Sequence, residues 1–258
     1  MIIKFYKYQG TGNDFVMIDN RNKSIDKTDL SIAQQLCDRK FGIGADGLIL
    51  IETHAEFDFE IIYFNADGTQ SFCGNGSRCA VAFARELGII QDSTKFLAID
   101  GVHEAKISDN KVELKMGDNP AFEENEDFFF IETGSPHYIE YRESVFEIDL
   151  ITEAHKIRYN NRFKAKGTNV NYVEKLRDNS LKMRTYERGV EDETLSCGTG
   201  ATAVALSGSS KFDLVSPISI HVPGGELEIK FNKKSKNLFD DIWLIGPANK
   251  VFEGTISI

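Results

Sequence analysis

Short runs rich in β-branched and aromatic residues, each closed by turn residues, dominate the chain. IIKFYKYQ, DFVMID, LILIE, FDFEIIYFNAD, VELKM, DFFFIETG, NVNYVE, LKMRTYERG, ISIHVPGG, LEIKF and DIWLIGP all have this form, which predicts strands. Three segments instead predict helices. Between residues 28 and 39, Leu30, Ala33, Leu36 and Cys37 share a helical face behind Thr28 as a candidate cap. AVAFAREL (80–87) and ATAVAL (201–206) are apolar nearly all round, as a helix is when it is buried on every side. Strands wrapped about two buried helices give the expected class: α+β, two similar lobes, each a mixed and largely antiparallel sheet around a central helix.

Each of these two helices stands behind the same turn. CGNG precedes the first, at 73–76, and CGTG the second, at 197–200. Between them the stretch MGDNPAFEENED (116–127) is rich in Gly, Pro and acid, which suits a linker. The expected division is 1–118, carrying CGNG, and 119–258, carrying CGTG, as products of an ancient duplication. FGIGADG also satisfies GxGxxG through Gly42, Gly44 and Gly47. A dinucleotide fingerprint runs strand, glycines, helix; here a helix precedes and a strand follows, so Gly42 is expected to end the helix.

Composition and charge narrow the function. The 258 residues are 41% hydrophobic and 27% charged, with a net charge of −10, a globular profile that disfavours nucleic-acid backbones and anionic membrane surfaces. A small-molecule substrate is expected, with no nucleic-acid or membrane partner. The N-terminal residues lack an apolar signal core and no segment approaches a membrane span, so a cytoplasmic protein is expected. Cys37, Cys73, Cys79 and Cys197 form no CxxC pair, which argues against a zinc site or a disulfide scaffold.

A cysteine at a helix start lies among unsatisfied N–H groups and the positive end of the helix dipole, which favour the thiolate. Glycines there also let backbone amides approach a carboxylate. Two such turns acting on one amino acid would suit inversion at its α-carbon: one thiolate removes the α-proton, the opposite thiol returns a proton, and the amides stabilise the charge on the carboxylate. No cofactor or metal is required by that chemistry.

GTGNDFV (10–16), FNADG (64–68), CGNGSRC (73–79), GSPH (134–137), YERG (186–189) and CGTGA (197–201) together resemble the diaminopimelate epimerases, in the family's order and over essentially the whole chain. The resemblance implies a PLP-independent enzyme that interconverts LL- and meso-diaminopimelate for lysine and peptidoglycan-precursor synthesis, with its active site in the cleft between lobes. A last strand at about 248–258 would return to the first lobe, and a homodimer is compatible. It further implies that Cys73 and Cys197 are the acid/base pair, with His137 and Glu187 exchanging protons with them. Gly74, Asn75, Gly198 and Thr199 would cradle the α-carboxylate; Asn13, Asn65, Asn169, Glu187 and Arg188 would hold the distal end. Cys37 and Cys79 read as packing thiols. Two positions depart from the family: Ser135 stands where Asn is common, and Gly47 where some members have Gln. The alternatives are a racemase of another amino acid, as in proline racemases, and a non-catalytic small-ligand-binding protein.

Overall fold

The computed structural model describes residues 2–257. The chain folds as two compact units, one running to Leu114 and resuming at Gly246, the other spanning Lys115–Ile245.

In unit 1 the order is β1 (Ile2–Gly10), β2 (Asn13–Asp19), α1 (Leu30–Cys37), β3 (Gly47–Glu52), β4 (Phe59–Asn65), α2 (Gly74–Glu86), β5 (Ser93–Ala98), β6 (Gly101–Ser108) and β7 (Lys111–Lys115). Unit 2 contains β8 (Ala121–Glu124), β9 (Phe129–Glu132), β10 (Pro136–Tyr141), α3 (Leu150–Arg158), β11 (Asn169–Lys175), β12 (Ser180–Glu187), β13 (Asp192–Thr194), α4 (Gly198–Phe212), β14 (Ile218–Val222), β15 (Gly225–Ser235) and β16 (Leu238–Pro247). The last strand, β17 (Asn249–Ser257), pairs antiparallel with β1 along its length.

The two units repeat one strand plan. In unit 1, β1 is antiparallel to β2, β2 parallel to β3, β3 antiparallel to β4, β4 parallel to β5, and β5, β6 and β7 are successively antiparallel. Unit 2 repeats these relations with β9, β10, β11, β12, β14, β15 and β16. The crossovers correspond as well: α1 and α3 join the first parallel pairs, while α2 and α4 precede the last strand of the second. This shared topology is what the expected duplication would leave behind.

The central helices are buried as their composition demands. α2 packs on β1, β2 and β3, with Cys79, Ala80, Val81, Phe83 and Ala84 inaccessible to solvent. α4 packs on β10, β11, β12 and β15, with Ala201 and the run from Ala203 to Leu206 equally buried. The first helix starts later than expected: Asp29 caps α1 by accepting from Ser31 N at 3.0 Å, and the Thr28 hydroxyl turns to Asp26. The helix also ends earlier than expected, at Cys37, with Asp38 as its C-cap four residues before Gly42; the glycine run folds back on that end, with Ile43 N and Gly44 N donating to Leu36 O and Gly44 at φ +80°. The acid-rich stretch is more than a linker, because β8 within it pairs with β9. Helix α3 was not among the expected helices, although Leu150, Ile151, Ala154 and Ile157 recur at helical spacing; Asp149 caps it, Leu150 and Ala154 are buried, and Ile151 and Ile157 pack partly buried on the same core.

The β1–β2 turn, which presents Asn13, is held by charge. Asp14 receives Lys7 at 2.7 Å and Arg39 at 2.8 Å, and Arg39 also reaches Asp46 at 2.7 Å. Partial burial pushes the Asp14 carboxyl up, but Arg39 and Lys7 outweigh it and hold the group at about 2, against 3.8 ordinarily. A depressed carboxylate stabilises the fold above its unfolded pKa and loses that contribution as pH falls through the folded value. Asp14→Asn is therefore expected to cost about 1 to 2 kcal/mol at pH 7, after discounting for the exposed Arg39. Urea unfolding should show the gap from wild type shrinking between pH 4 and pH 2; a gap independent of pH would place the stabilisation elsewhere.

Candidate active site

In unit 1, Cys73 is the N-cap of α2, with extended backbone (φ −133°, ψ 112°) and its sulfur accepting from Gly76 N at 3.4 Å. Sulfur thus takes the place that a Ser or Asp oxygen fills in most caps. Gly76 is required by a close approach: a Cβ there would sit 3.0 Å from Ile49 Cδ1 and 3.4 Å from Phe15 Cε1, so α2 starts hard against β2 and β3. Asn13 reaches the cap from the β1–β2 turn. Its Nδ2 donates to Asp46 Oδ2 at 2.6 Å, and because a carboxylate only accepts, Oδ1 must face the helix. There it lies 3.6 Å from Cys73 Sγ and accepts from Asn75 Nδ2 at 3.3 Å. Asn65 ends β4 and is oriented by Tyr63, whose hydroxyl donates to Oδ1 at 2.9 Å, and by Thr69 and Ser71 on the Nδ2 side. Tyr63 and Ser71 line a small hollow beside Cys73.

Unit 2 builds a second cap on the same plan. Cys197 is the N-cap of α4 at φ −129°, ψ 109°, within a few degrees of Cys73, and is 8% exposed. The glycine three residues on again marks contact: a Cβ on Gly200 would meet Asn171 Oδ1 at 2.9 Å and His137 Cε1 at 3.2 Å. Around this cap the polar side chains form one network. Cys197 Sγ lies 3.4 Å from Thr199 Oγ1, and that hydroxyl is 2.9 Å from His137 Nε2 and 3.0 Å from Ser135 Oγ. Ser135 also meets His137 Nε2 at 3.0 Å and accepts from Asn169 Nδ2 at 3.2 Å. Asn169 accepts from the Arg188 backbone N–H at 2.9 Å.

His137 is wholly buried. Burial first, and then the Arg188 charge, lower its pKa to about 3, so the ring is neutral at physiological pH. Its link to Cys197 runs through Thr199. Glu187 is half-buried at the end of β12 and accepts from Thr194 Oγ1 at 2.9 Å. Arg188 is exposed, its guanidinium donating to the Lys166 carbonyl at 3.1 Å. In contrast to the two caps, Cys37 and Cys79 are packed in the core, where burial pushes both thiols up to about 12.

The structure thus gathers Asn13, Cys73 and Asn75 in one unit, and Cys197, Thr199, His137, Asn169 and the Arg188 backbone in the other. It also explains both departures. Ser135 is tied into the network rather than extended beyond it. Gly47 has no room for a side chain, since a Cβ would lie 2.4 Å from the Tyr63 ring; Tyr63 occupies that space and supplies the polar group that orients Asn65. Asp46, Tyr63 and Asn171 are the residues sequence reasoning missed. Only Asp46, in the GADG turn, carried any local signal. Among the described residues no group of three or more His, Cys, Asp or Glu is placed to hold a metal ion.

Known proteins resemble the chain along its whole length. The family profile described as diaminopimelate epimerase matches residues 5–121 and 129–251. Proteins named diaminopimelate epimerase from Flavobacterium psychrophilum, Chlorobaculum tepidum and Aquifex aeolicus are 48%, 41% and 39% identical to the chain. The alignments cover 98%, 96% and 99% of this chain and 100%, 99% and 98% of the relatives. More distant solved structures share the fold. A PhzF-family phenazine biosynthesis protein from Bacillus anthracis superimposes with a TM-score of 0.75 at 12% identity, over 100% of both chains. A hydroxyproline epimerase from Agrobacterium vitis gives 0.67 at 13%, over 99% of this chain and 92% of the other. With a profile match along most of its length and nearly half its residues shared with a full-length relative, the chain belongs to the diaminopimelate epimerase family.

Proposed function

We propose that the chain interconverts LL- and meso-2,6-diaminopimelate by two-thiol proton transfer at the α-carbon, with no cofactor. The observation that carries this reading, beside family membership, is the matched pair of cysteine N-caps with nearly equal backbone angles. In the proposed cycle one thiolate takes the α-proton and the C–H electron pair moves into the carboxylate as an enediolate. The other cysteine's S–H then protonates the opposite face of the carbon, and the first sulfur leaves the cycle protonated. The amides at Gly74, Asn75, Gly198 and Thr199 are suited to hold the α-carboxylate and to stabilise the added charge, since both helix starts present N–H groups and a positive dipole end. Asn13, Asn65, Asn169, Glu187 and Arg188 are assigned to the distal amino-acid end, Arg188 pairing with its carboxylate. The enzyme would serve lysine and peptidoglycan-precursor synthesis in the cytoplasm, with a homodimer as the assembly for sedimentation to test. No helix among the described residues is long and apolar enough to cross a membrane.

Incubation in D2O with LL-diaminopimelate, proline and glutamate separately, followed by proton NMR, tests the substrate directly. Loss of the α-proton signal is expected with diaminopimelate alone; exchange of proline or glutamate instead would shift the assignment to a racemase of another amino acid. Cys73→Ser and Cys197→Ser are each expected to lower kcat by at least about 10²- to 10⁴-fold, because inversion needs both faces served and a serine hydroxyl releases its proton far less readily. Normal turnover in either variant would rule out the two-thiol cycle. Arg188→Ala is expected to reduce kcat/KM by about 2 to 5 kcal/mol while leaving the thermal melt unchanged; unaltered kcat/KM would move the distal carboxylate to another partner.

A further inference from the structure

The side chain of Asn171 is fully buried in the middle of β11 and sits opposite Thr185 in the β11–β12 register. Two contacts fix which way its amide points. Nδ2 lies 2.9 Å from the Tyr138 carbonyl, which can only accept, and Oδ1 lies 3.0 Å from the Thr185 hydroxyl that donates to it. The amide nitrogen is therefore the group that faces His137 Nδ1 at 3.2 Å. A nitrogen bearing two hydrogens can only donate, so Nδ1 must be bare. With the ring neutral, its single proton must then reside on Nε2, the nitrogen facing the Ser135 and Thr199 hydroxyls.

The geometry points to Asn171 as a positioning residue that locks His137 in the neutral Nε2–H tautomer, making it a hydrogen-bond donor to the hydroxyl pair beside Cys197. His137 then has no bare nitrogen facing Thr199 with which to draw a proton from the cysteine. It feeds a hydrogen bond into the Ser135–Thr199 pair instead, leaving the Thr199 hydroxyl to donate to Cys197 Sγ and favour the thiolate. The Asn169 amide acts in the same sense: its Nδ2 donates to both Ser135 Oγ and the Pro136 carbonyl, and its Oδ1 is occupied by the Arg188 N–H. Two amides, each oriented by a backbone carbonyl, thus send hydrogen bonds one way, toward the sulfur. Gly200 completes the lock, because any side chain there would press on Asn171 Oδ1 and the His137 ring together.

This inference rests on the assignment of Cys197 as a proton-transfer group, but its primary test does not use turnover. Nitrogen-15 NMR of histidine-labelled protein distinguishes bare from protonated ring nitrogens. The His137 signals are identified among the five histidines by their loss in His137→Gln. The expected wild-type result at pH 7 is a bare Nδ1 and a protonated Nε2; an Nδ1–H tautomer or an imidazolium would overturn the proposal. Asn171→Asp, close to isosteric, presents an acceptor to Nδ1 and is expected to move the proton there. In that variant kcat should fall roughly 10- to 100-fold, as when a functional histidine loses its orienting partner, with KM changed by less than about 3-fold. Thr185→Val loosens the same amide but leaves the Tyr138 carbonyl in place, so it should keep the wild-type tautomer and most of kcat. An Asn171→Asp protein with the wild-type tautomer, or with wild-type kcat, would refute the lock. Retained turnover in Cys197→Ser would refute the catalytic assignment and leave the tautomer result standing.

Discussion

A helix that begins hard against a sheet starts with N–H groups that few neighbours can satisfy, and this constraint organises both halves of the molecule. α2 and α4 each begin among buried residues, with no Ser, Thr, Asp or Asn at the cap. A sulfur is larger and a weaker acceptor than oxygen, so a cysteine cap leaves the amides of the first turn under-satisfied. That deficit makes the same turn receptive to an anion. The glycines at 76 and 200 then press each start against its sheet, setting the position of the sulfur by backbone packing.

Polar groups near the two caps follow different rules. Around Cys73 the orienting groups end in charge: Asn13 is held by Asp46, and Asp46 by Arg39 at the surface. Around Cys197 every orienting group in the buried network is neutral, and direction comes from backbone carbonyls. In low dielectric a neutral network that is fully satisfied costs little, whereas an ion in the same place would face a penalty of several kcal/mol. The correspondence of the two strand plans therefore does not extend to electrostatics, and the two caps are furnished differently.

Much of the plan was legible because local pattern and chemistry coincide here. All-round apolarity announced the two central helices, CGNG and CGTG marked their starts, and β-branched runs gave most strands. Most of what escaped was set by partners distant in sequence. The α3 helix spans only nine residues, and its apolar positions Leu150, Ile151, Ala154 and Ile157 sit among charged ones with two of them only partly buried, a short pattern that was overlooked. Strands such as β5, β6 and β10 combine polar, charged and apolar residues without a clean β-branched or aromatic run, and were too mixed to read alone. Asn171 looked like one polar residue in a strand; its meaning depends on Tyr138, Thr185 and His137, which pairing across β10, β11 and β12 brings to it. Tyr63 was legible as a strand residue and nothing more, since only the fold places its ring over Gly47.

That ring limits substitution at positions 47 and 63. A side chain at 47 would meet the Tyr63 ring at 2.4 Å and the Phe64 carbonyl at 2.7 Å, so bulk lost at 63 alone does not make room for one. A Gln placed at 47 beside Tyr63 would clash, and a smaller residue at 63 would leave a void and take from Asn65 the hydroxyl that holds its Oδ1, with Thr69 and Ser71 still on the Nδ2 side. The glycine is thus held by its neighbours' ring and backbone together, and position 63 is free to change only as far as the orientation of Asn65 allows.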